Sequence, residues 1–153
     1  MIESLSVKWK LFVNVFLKDE KVYKVMFSKE PVEENYKSKT AKMLKNDLTN
    51  YFRGYEVDFR CYDVYLEVTP FVRSVLDVVR DIPYGETTTY GEIARALNTS
   101  PRAVGVALKL NPTPIVIPCH RVIAKNGLGG FSSGLNIKIE LLKLERIRFL
   151  FQT

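Results

Sequence analysis

The sequence predicts an α+β protein: a small α/β unit over residues 1–65, then a mainly helical unit over residues 66–153 that carries a helix-turn-helix. Three observations predict it. Apolar side chains alternate with period two through the first quarter of the chain. Capped segments with helical spacing take over from Thr69. Two short capped helices then follow each other across residues 89–108 with Asn98-Thr99 as the turn. The 153 residues, 46% of them apolar, suffice for a genuine core. No run of eighteen apolar residues and no basic-then-apolar leader occurs, so neither a membrane span nor a secretory signal is expected.

From Leu5 to Leu17 the odd positions read Leu, Val, Trp, Leu, Val, Val, Leu, which predicts one long strand. Asp19-Glu20-Lys21 breaks the pattern and Val22 to Phe27 resumes it, giving a hairpin. Glu30 to Lys39 reads as loop. Ala41, Leu44, Leu48, Tyr51 and Phe52 share a helical face, and Gly54 is placed to stop that helix. Tyr55 to Val64 predicts a further strand containing Cys61, which reads as structural.

Thr69-Pro70 opens a helix as cap and first-turn proline, with Val72, Val75, Leu76 and Val79 on its apolar face. Thr89-Tyr90-Gly91-Glu92 is a capping box in which Thr89 and Glu92 satisfy each other's backbone donors. Ile93, Ala94 and Leu97 face inward behind it. Ser100-Pro101 starts the next helix, whose inward residues are Val104 and Leu108 and whose Ala103, Gly105 and Ala107 are small. An ordinary pair of packed helices fits this pattern as well. Arg102 stands against that reading, because the helix dipole disfavours a cation in the first turn and so implies another use. Asn111-Pro112-Thr113-Pro114 makes a rigid link, and Asn126 to Ser133 is a glycine-rich pocket wall. Ile137, Leu141 and Leu144 mark a last helix with Glu145 in register, and a tail is expected from Arg146.

The chemistry concentrates at Pro118-Cys119-His120-Arg121-Val122, which holds the single histidine beside one of two cysteines. A thiol needs help to ionise at neutral pH. Adjacent side chains diverge, so a water between Cys119 and His120 is expected in place of a direct bond. Pro118 also suits the first position of a short helix whose dipole favours an anion on the next residue. On these residues alone a buried structural cysteine explains the pair equally well. Two distant cysteines form no disulfide framework, which fits a reducing compartment. With one histidine they cannot complete a four-ligand zinc site, so no metal and no cofactor is expected. The formal charge of +6, from 23 basic and 17 acidic residues, favours an anionic partner such as nucleic acid.

Residues from about Thr69 to Glu145 resemble the alkylguanine-DNA alkyltransferases, the methylated-DNA–protein-cysteine methyltransferases. The resemblance rests on Thr89-Tyr90, Arg102-Ala103-Val104-Gly105, Asn111-Pro112-Thr113-Pro114, Pro118 to Val122 and the Gly-Gly-Phe-Ser run at 129–132, in matching order and spacing. It implies a ribonuclease H-like N-terminal unit and single-turnover repair of O(6)-methylguanine, with O(4)-methylthymine as a further substrate candidate. Cys119 would be the alkyl acceptor, His120 the group taking its proton through water, and Glu145 the acid that orients His120. Tyr90 would help rotate the nucleotide and bond the leaving guanine. Arg102 would fill the gap in the stack, an extruded base leaving a hole that something must occupy. Asn111 would fix the turn before the cysteine, and the Ser132 amide would meet the substrate oxygen.

The implied DNA-binding set is Arg102, Tyr90, Thr89, Ala103 and Gly105, and the implied pocket is Leu108, Gly130, Phe131 and Ser132. The implied partner is double-stranded DNA containing alkylated guanine, with no obligate protein partner, for a monomer in the cytoplasm, or the nucleus of a eukaryote. Phe131 and Ser133 stand where some members have tyrosine and glycine, which bears on the range of alkyl groups. A branch with tryptophan at the acceptor position only binds lesions, and Cys119 argues against it. A pure binding module and a cysteine hydrolase or acyltransferase built on Cys119, His120 and Glu145 are the competing readings. The hydrolase reading leaves the helix-turn-helix without a purpose.

Overall fold

Odd-numbered apolar residues build the first sheet, but as two strands. In the structure, a computed structural model that describes residues 1–147, β1 (Ile2–Lys8) turns at residues 9–11 and returns as β2 (Phe12–Lys18). The alternation crosses the turn unbroken because Val7 pairs with Val13 and Leu5 with Val15, odd with odd, so both strands present the same phase to the core. Trp9, Lys10 and Leu11 include no glycine, proline or asparagine, the residues that usually announce a turn. A single long strand is therefore corrected to a hairpin.

Asp19 and Glu20 form the next turn, both with positive φ (50° and 62°), as a two-residue hairpin loop of this hand demands. It leads into β3 (Lys21–Ser28), completing an antiparallel sheet ordered β1-β2-β3. A register shift between Phe16 and Leu17 lets Val22 and Val25 both point inward although they are three apart. α1 (Lys39–Phe52) is capped by the Ser38 hydroxyl, and it buries Ala41, Leu44, Leu48 and Tyr51 beside β1. Buried Glu3 accepts from the amides of Lys37 and Ser38 and from the Ser38 hydroxyl, tying the cap to the sheet.

Residues 55–64 form no strand. They touch the sheet through one parallel bridge, Val22 to Val64, and bury Phe59 and Tyr62. Phe59 packs edge-to-face on Tyr51 and Tyr62 tilts against Phe59, and that packing, not strand pairing, is what their hydrophobicity serves. Cys61 is accordingly exposed in a turn and not in a strand.

The chain divides into units of residues 1–66 and 67–153. In the second, α2 (Pro70–Arg80) begins at Thr69, whose hydroxyl accepts from the Val72 amide. β4 (Thr88–Thr89) runs directly into α3 (Tyr90–Leu97), and Asn98 ends that helix in the left-handed region (φ 53°). α4 (Pro101–Leu108) follows from the Ser100 cap. Half of the expected box forms, the Glu92 amide donating to the Thr89 hydroxyl, while the Glu92 carboxylate accepts from the Thr88 and Thr89 hydroxyls; β4 itself pairs in parallel with β5 (Val122–Ile123). α5 (Leu135–Leu144) closes the unit. Its inward face is Lys138, Leu141 and Leu142, whereas Ile137 and Leu144 are half-buried. The expected tail lies outside the described residues beyond Ile147, and Ile147 itself is buried. Among the described residues no helix is long and apolar enough to cross a membrane.

Candidate active site

Asn111, buried just beyond α4, organises the approach to the cysteine. Its side-chain amide donates to the Ile117 carbonyl at 2.9 Å, and its oxygen accepts from the Thr113 amide at 3.0 Å. Between them Ile115 has φ 76°, a conformation that a β-branched residue adopts only when its surroundings enforce it. The turn delivers Cys119 into a three-residue 3₁₀ segment, Cys119–Arg121, whose first amide donates to Ile117. Pro118 precedes this segment and does not form its first residue, and three residues give no helix dipole worth invoking.

Cys119 is 5% exposed, and it lines a cavity of about 560 Å³ walled by α4 and the glycine-rich segment. That volume suits a small organic ligand. The cavity gathers Tyr90, Arg102, Gly105, Leu108, Cys119, Gly130, Phe131 and Ser132, all expected at the site, and adds Pro101, Val106 and Lys109. Thr89 and Ala103 are not among these: Thr89 caps α3, and the Ala103 amide receives the Ser100 cap of α4. Ser133 does not line the cavity among the described residues either.

Behind the cysteine, His120 Nε2 meets Glu145 Oε2 at 2.6 Å with both side chains fully buried. Glu145 also accepts from Arg121 Nε (2.9 Å), Arg121 Nη2 (3.1 Å) and the Gly85 amide (3.1 Å). Arg121 Nη1 donates to the Ile82 carbonyl at 2.6 Å. A buried carboxylate is tolerable only when fully hydrogen-bonded and paired, and this one is. Burial pushes the Glu145 carboxyl up, but His120 and Arg121 outweigh it and hold the group well below the usual carboxylate range. Burial lowers His120 from its ordinary value, against the pull of Glu145, so the ring is neutral at pH 7. With Nε2 facing Glu145, the basic nitrogen of the neutral ring is Nδ1.

Burial pushes the Cys119 thiol up to about 11, opposed by the Asn111 amide, the Lys138 ammonium and its own backbone N–H. The resting group is therefore a thiol that must lose its proton during reaction. Lys138 is fully buried, and it donates to the Val122 carbonyl (2.6 Å) and the Gly130 carbonyl (2.9 Å), with its charge 5.9 Å from the Tyr90 ring centre. Burial brings it down to about 8, with Cys119 opposing. The Gly130 amide donates to the Tyr90 hydroxyl at 3.1 Å. Burial raises Tyr90, so it stays a protonated donor.

Lys138 and the bidentate role of Arg121 are absent from the sequence reading. The signal was there for Lys138, which stands three residues before Leu141 and seven before Glu145, on the inward stripe of α5. Arg121 follows His120 directly, and nothing in the sequence joins it to a carboxylate 24 residues away.

A helix pair whose second helix walls a cavity ending on a cysteine, backed by a His–Glu–Arg cluster, makes this a helix-turn-helix protein with a cysteine-centred reactive site. Residues 70–147 match the family described as 6-O-methylguanine DNA methyltransferase, DNA binding domain. The methylated-DNA–protein-cysteine methyltransferase of Methanopyrus kandleri is 53% identical over 107 residues, covering 70% of this chain and 82% of that one. Its counterpart in Archaeoglobus fulgidus is 42% identical over 149 residues, covering 93% and 98%. The Mycobacterium tuberculosis OGT solved in complex with DNA is 30% identical, with a TM-score of 0.74 over 92% of this chain and 91% of that one. The chain belongs to the methylated-DNA–protein-cysteine methyltransferase family.

Proposed function

We propose that this protein repairs DNA by moving the methyl group of O6-methylguanine onto Cys119, once per molecule. The observation that carries the proposal is Cys119 lining a cavity walled by α4, with the His120–Glu145 pair behind it. The methyl carbon of a stacked base is out of reach, so the nucleotide is extruded into the cavity at a cost of a few kcal/mol, and Arg102, on the rim, takes its place in the stack. The Cys119 proton passes through water to Nδ1 of His120, and Glu145 stabilises the resulting imidazolium. Sulfur then attacks the methyl carbon. The carbon–sulfur bond forms as the carbon–oxygen bond breaks, the electron pair leaves on guanine, and the proton held by His120 restores neutrality when guanine is reprotonated. In this reading Tyr90 and the Ser132 amide, both of residues that line the cavity, receive the developing charge on the purine. Asn111 fixes the turn that presents the sulfur. Thr89, Ala103 and Gly105 meet the DNA backbone, and Leu108, Gly130 and Phe131 wall the base.

Residues 1–65 act in this reading as a supporting domain of ribonuclease H-like form, a form supported by a three-stranded antiparallel meander and a helix that packs beside β1. Residues 66–153 hold the DNA-binding and acceptor machinery. A reducing compartment such as the cytoplasm suits an acceptor that must remain a free thiol. The test is a duplex containing O6-methylguanine: the wild-type protein gains the mass of one methyl group, whereas Cys119→Ser binds the duplex and gains none. A Cys119→Ser protein that still clears the lesion overturns the proposal.

A further inference from the structure

Methyl transfer gives His120 two duties that pull against each other. It must be neutral at rest to take the Cys119 proton, and it must hold that proton as imidazolium while sulfur attacks. A single buried carboxylate against an imidazole serves only the second duty. Such a pair relieves its own charge by drawing a proton onto the ring, and no base is left. Glu145 is held differently. Its Oε2 is shared between His120 Nε2 (2.6 Å) and Arg121 Nη2 (3.1 Å), and its Oε1 accepts from Arg121 Nε (2.9 Å) and the Gly85 amide (3.1 Å). The guanidinium is fixed in turn, since Nη1 donates to the Ile82 carbonyl and its carbon lies 5.9 Å from the Tyr84 ring centre. All three side chains of the cluster are buried, so salt and water screen their charges little.

We propose that Arg121 is a positioning residue for the transfer: by forking onto Glu145 it takes up part of that carboxylate's charge, so that His120 meets the thiol as a base and not as a standing imidazolium. This rests on the reading that His120 takes the Cys119 proton. The charges balance at each stage. At rest Glu145 and Arg121 cancel, and a neutral imidazole completes an uncharged cluster. When the thiol proton reaches Nδ1, the cluster gains one positive charge, which the Cys119 thiolate offsets. Burial and the Arg121 charge both oppose protonation of the ring, against the pull of Glu145. Lys138, on α5, acts on the ring as a cation too, but its hydrogen bonds go to the Val122 and Gly130 carbonyls, so it leaves the carboxylate to Arg121.

The chain holds a single histidine, so one imidazole resonance followed by NMR against pH reads His120 without overlap. Wild type titrates below the ordinary 6.5. Arg121→Gln and Arg121→Met remove the charge, the first keeping a donor for Glu145 and the second filling the volume, so either folded variant serves. In each the His120 midpoint rises by about 1 pH unit or more, the scale of one nearby buried charge. Single-turnover transfer slows about tenfold below both midpoints and recovers as pH rises, because the rate follows the neutral fraction of the ring. Arg121→Lys keeps a charge without the fork, and its His120 midpoint stays nearer to wild type than to the neutral variants. A purely structural Arg121 lowers the unfolding temperature in all three variants without sorting their imidazole midpoints by charge. A wild-type midpoint in the neutral variants, or an Arg121→Lys midpoint raised as far as theirs, overturns the proposal. The titration needs no DNA, so a wild-type protein that gains no methyl group defeats the proposed function while leaving the hold of Arg121 on Glu145 intact.

Discussion

Replacing Glu145 with glutamine keeps the shape of the side chain and removes its charge. The carboxylate accepts four hydrogen bonds, from His120 Nε2, Arg121 Nε and Nη2, and the Gly85 amide, and the side chain has no exposure. A glutamine offers one accepting oxygen and a donor NH₂ that must face either Arg121 or the imidazole, so at least one donor opposes another and the Arg121 charge is left buried without its partner. Breaking a buried pair in this way costs about 3–5 kcal/mol. That is large against a stability of roughly 5–15 kcal/mol but leaves a folded protein. In a chain of this size it lowers the unfolding midpoint by about 6–20 °C. The loss of the anion that steadies imidazolium slows methyl transfer by about 10²–10⁴-fold. Thermal unfolding and single-turnover transfer, followed by intact mass, read the two effects separately. A glutamine variant with wild-type midpoint and wild-type rate refutes the assignment of Glu145 to the proton path.

Three further outcomes follow from the same geometry. Lys138→Met removes the donor from the Val122 and Gly130 carbonyls and, below about pH 8 where that lysine is charged, the cation that favours the Cys119 thiolate, so transfer slows most at neutral and lower pH; a rate-against-pH profile reads this. Gly129→Ala sets a methyl group 2.6 Å from the Tyr90 hydroxyl at φ 72°, which displaces the ring, costs at least about 1 kcal/mol and slows transfer; Gly127→Ala, whose added carbon meets nothing within 4 Å, is the neutral control. Acid acts in two stages. The folded protein holds His120 neutral where an unfolded chain already binds a proton, so stability is intact above the ordinary value of 6.5 and declines as pH falls below it. Depressed Glu145 adds stability that is present above 4.5 and lost as pH falls further, so denaturant midpoints measured against pH drop gently and then steeply. Transfer persists through the first stage, because the fold still holds His120 neutral, and fails only once pH falls below the lowered value of His120 in the folded protein.

The second unit was largely legible because its signals are local. Thr69, Thr89 and Ser100 each sit where a cap must, and each hydroxyl accepts from the amide three residues on. The site was legible through the single histidine beside one of two cysteines, and the part of Glu145 in it through the family resemblance alone. What escaped depends on long-range geometry. The β1–β2 turn was hidden by parity, since a three-residue loop pairs odd with odd and lets the pattern run through. Residues 55–64 looked like a strand because aromatic residues are rich in strands, yet Phe59 and Tyr62 are held by ring packing instead. Lys138 was passed over because a lysine on an apolar stripe is ordinarily expected to reach solvent. Only the fold shows the Val122 and Gly130 carbonyls waiting for it.

The most direct measurement gives the protein an excess of duplex bearing O6-methylguanine and counts repaired sites. Repair should stop when each protein molecule has taken one methyl group, and digestion should find every one of them on the peptide that contains Cys119. Continued turnover, or methyl groups carried on any other residue, would contradict the assignment of that sulfur as the terminal acceptor.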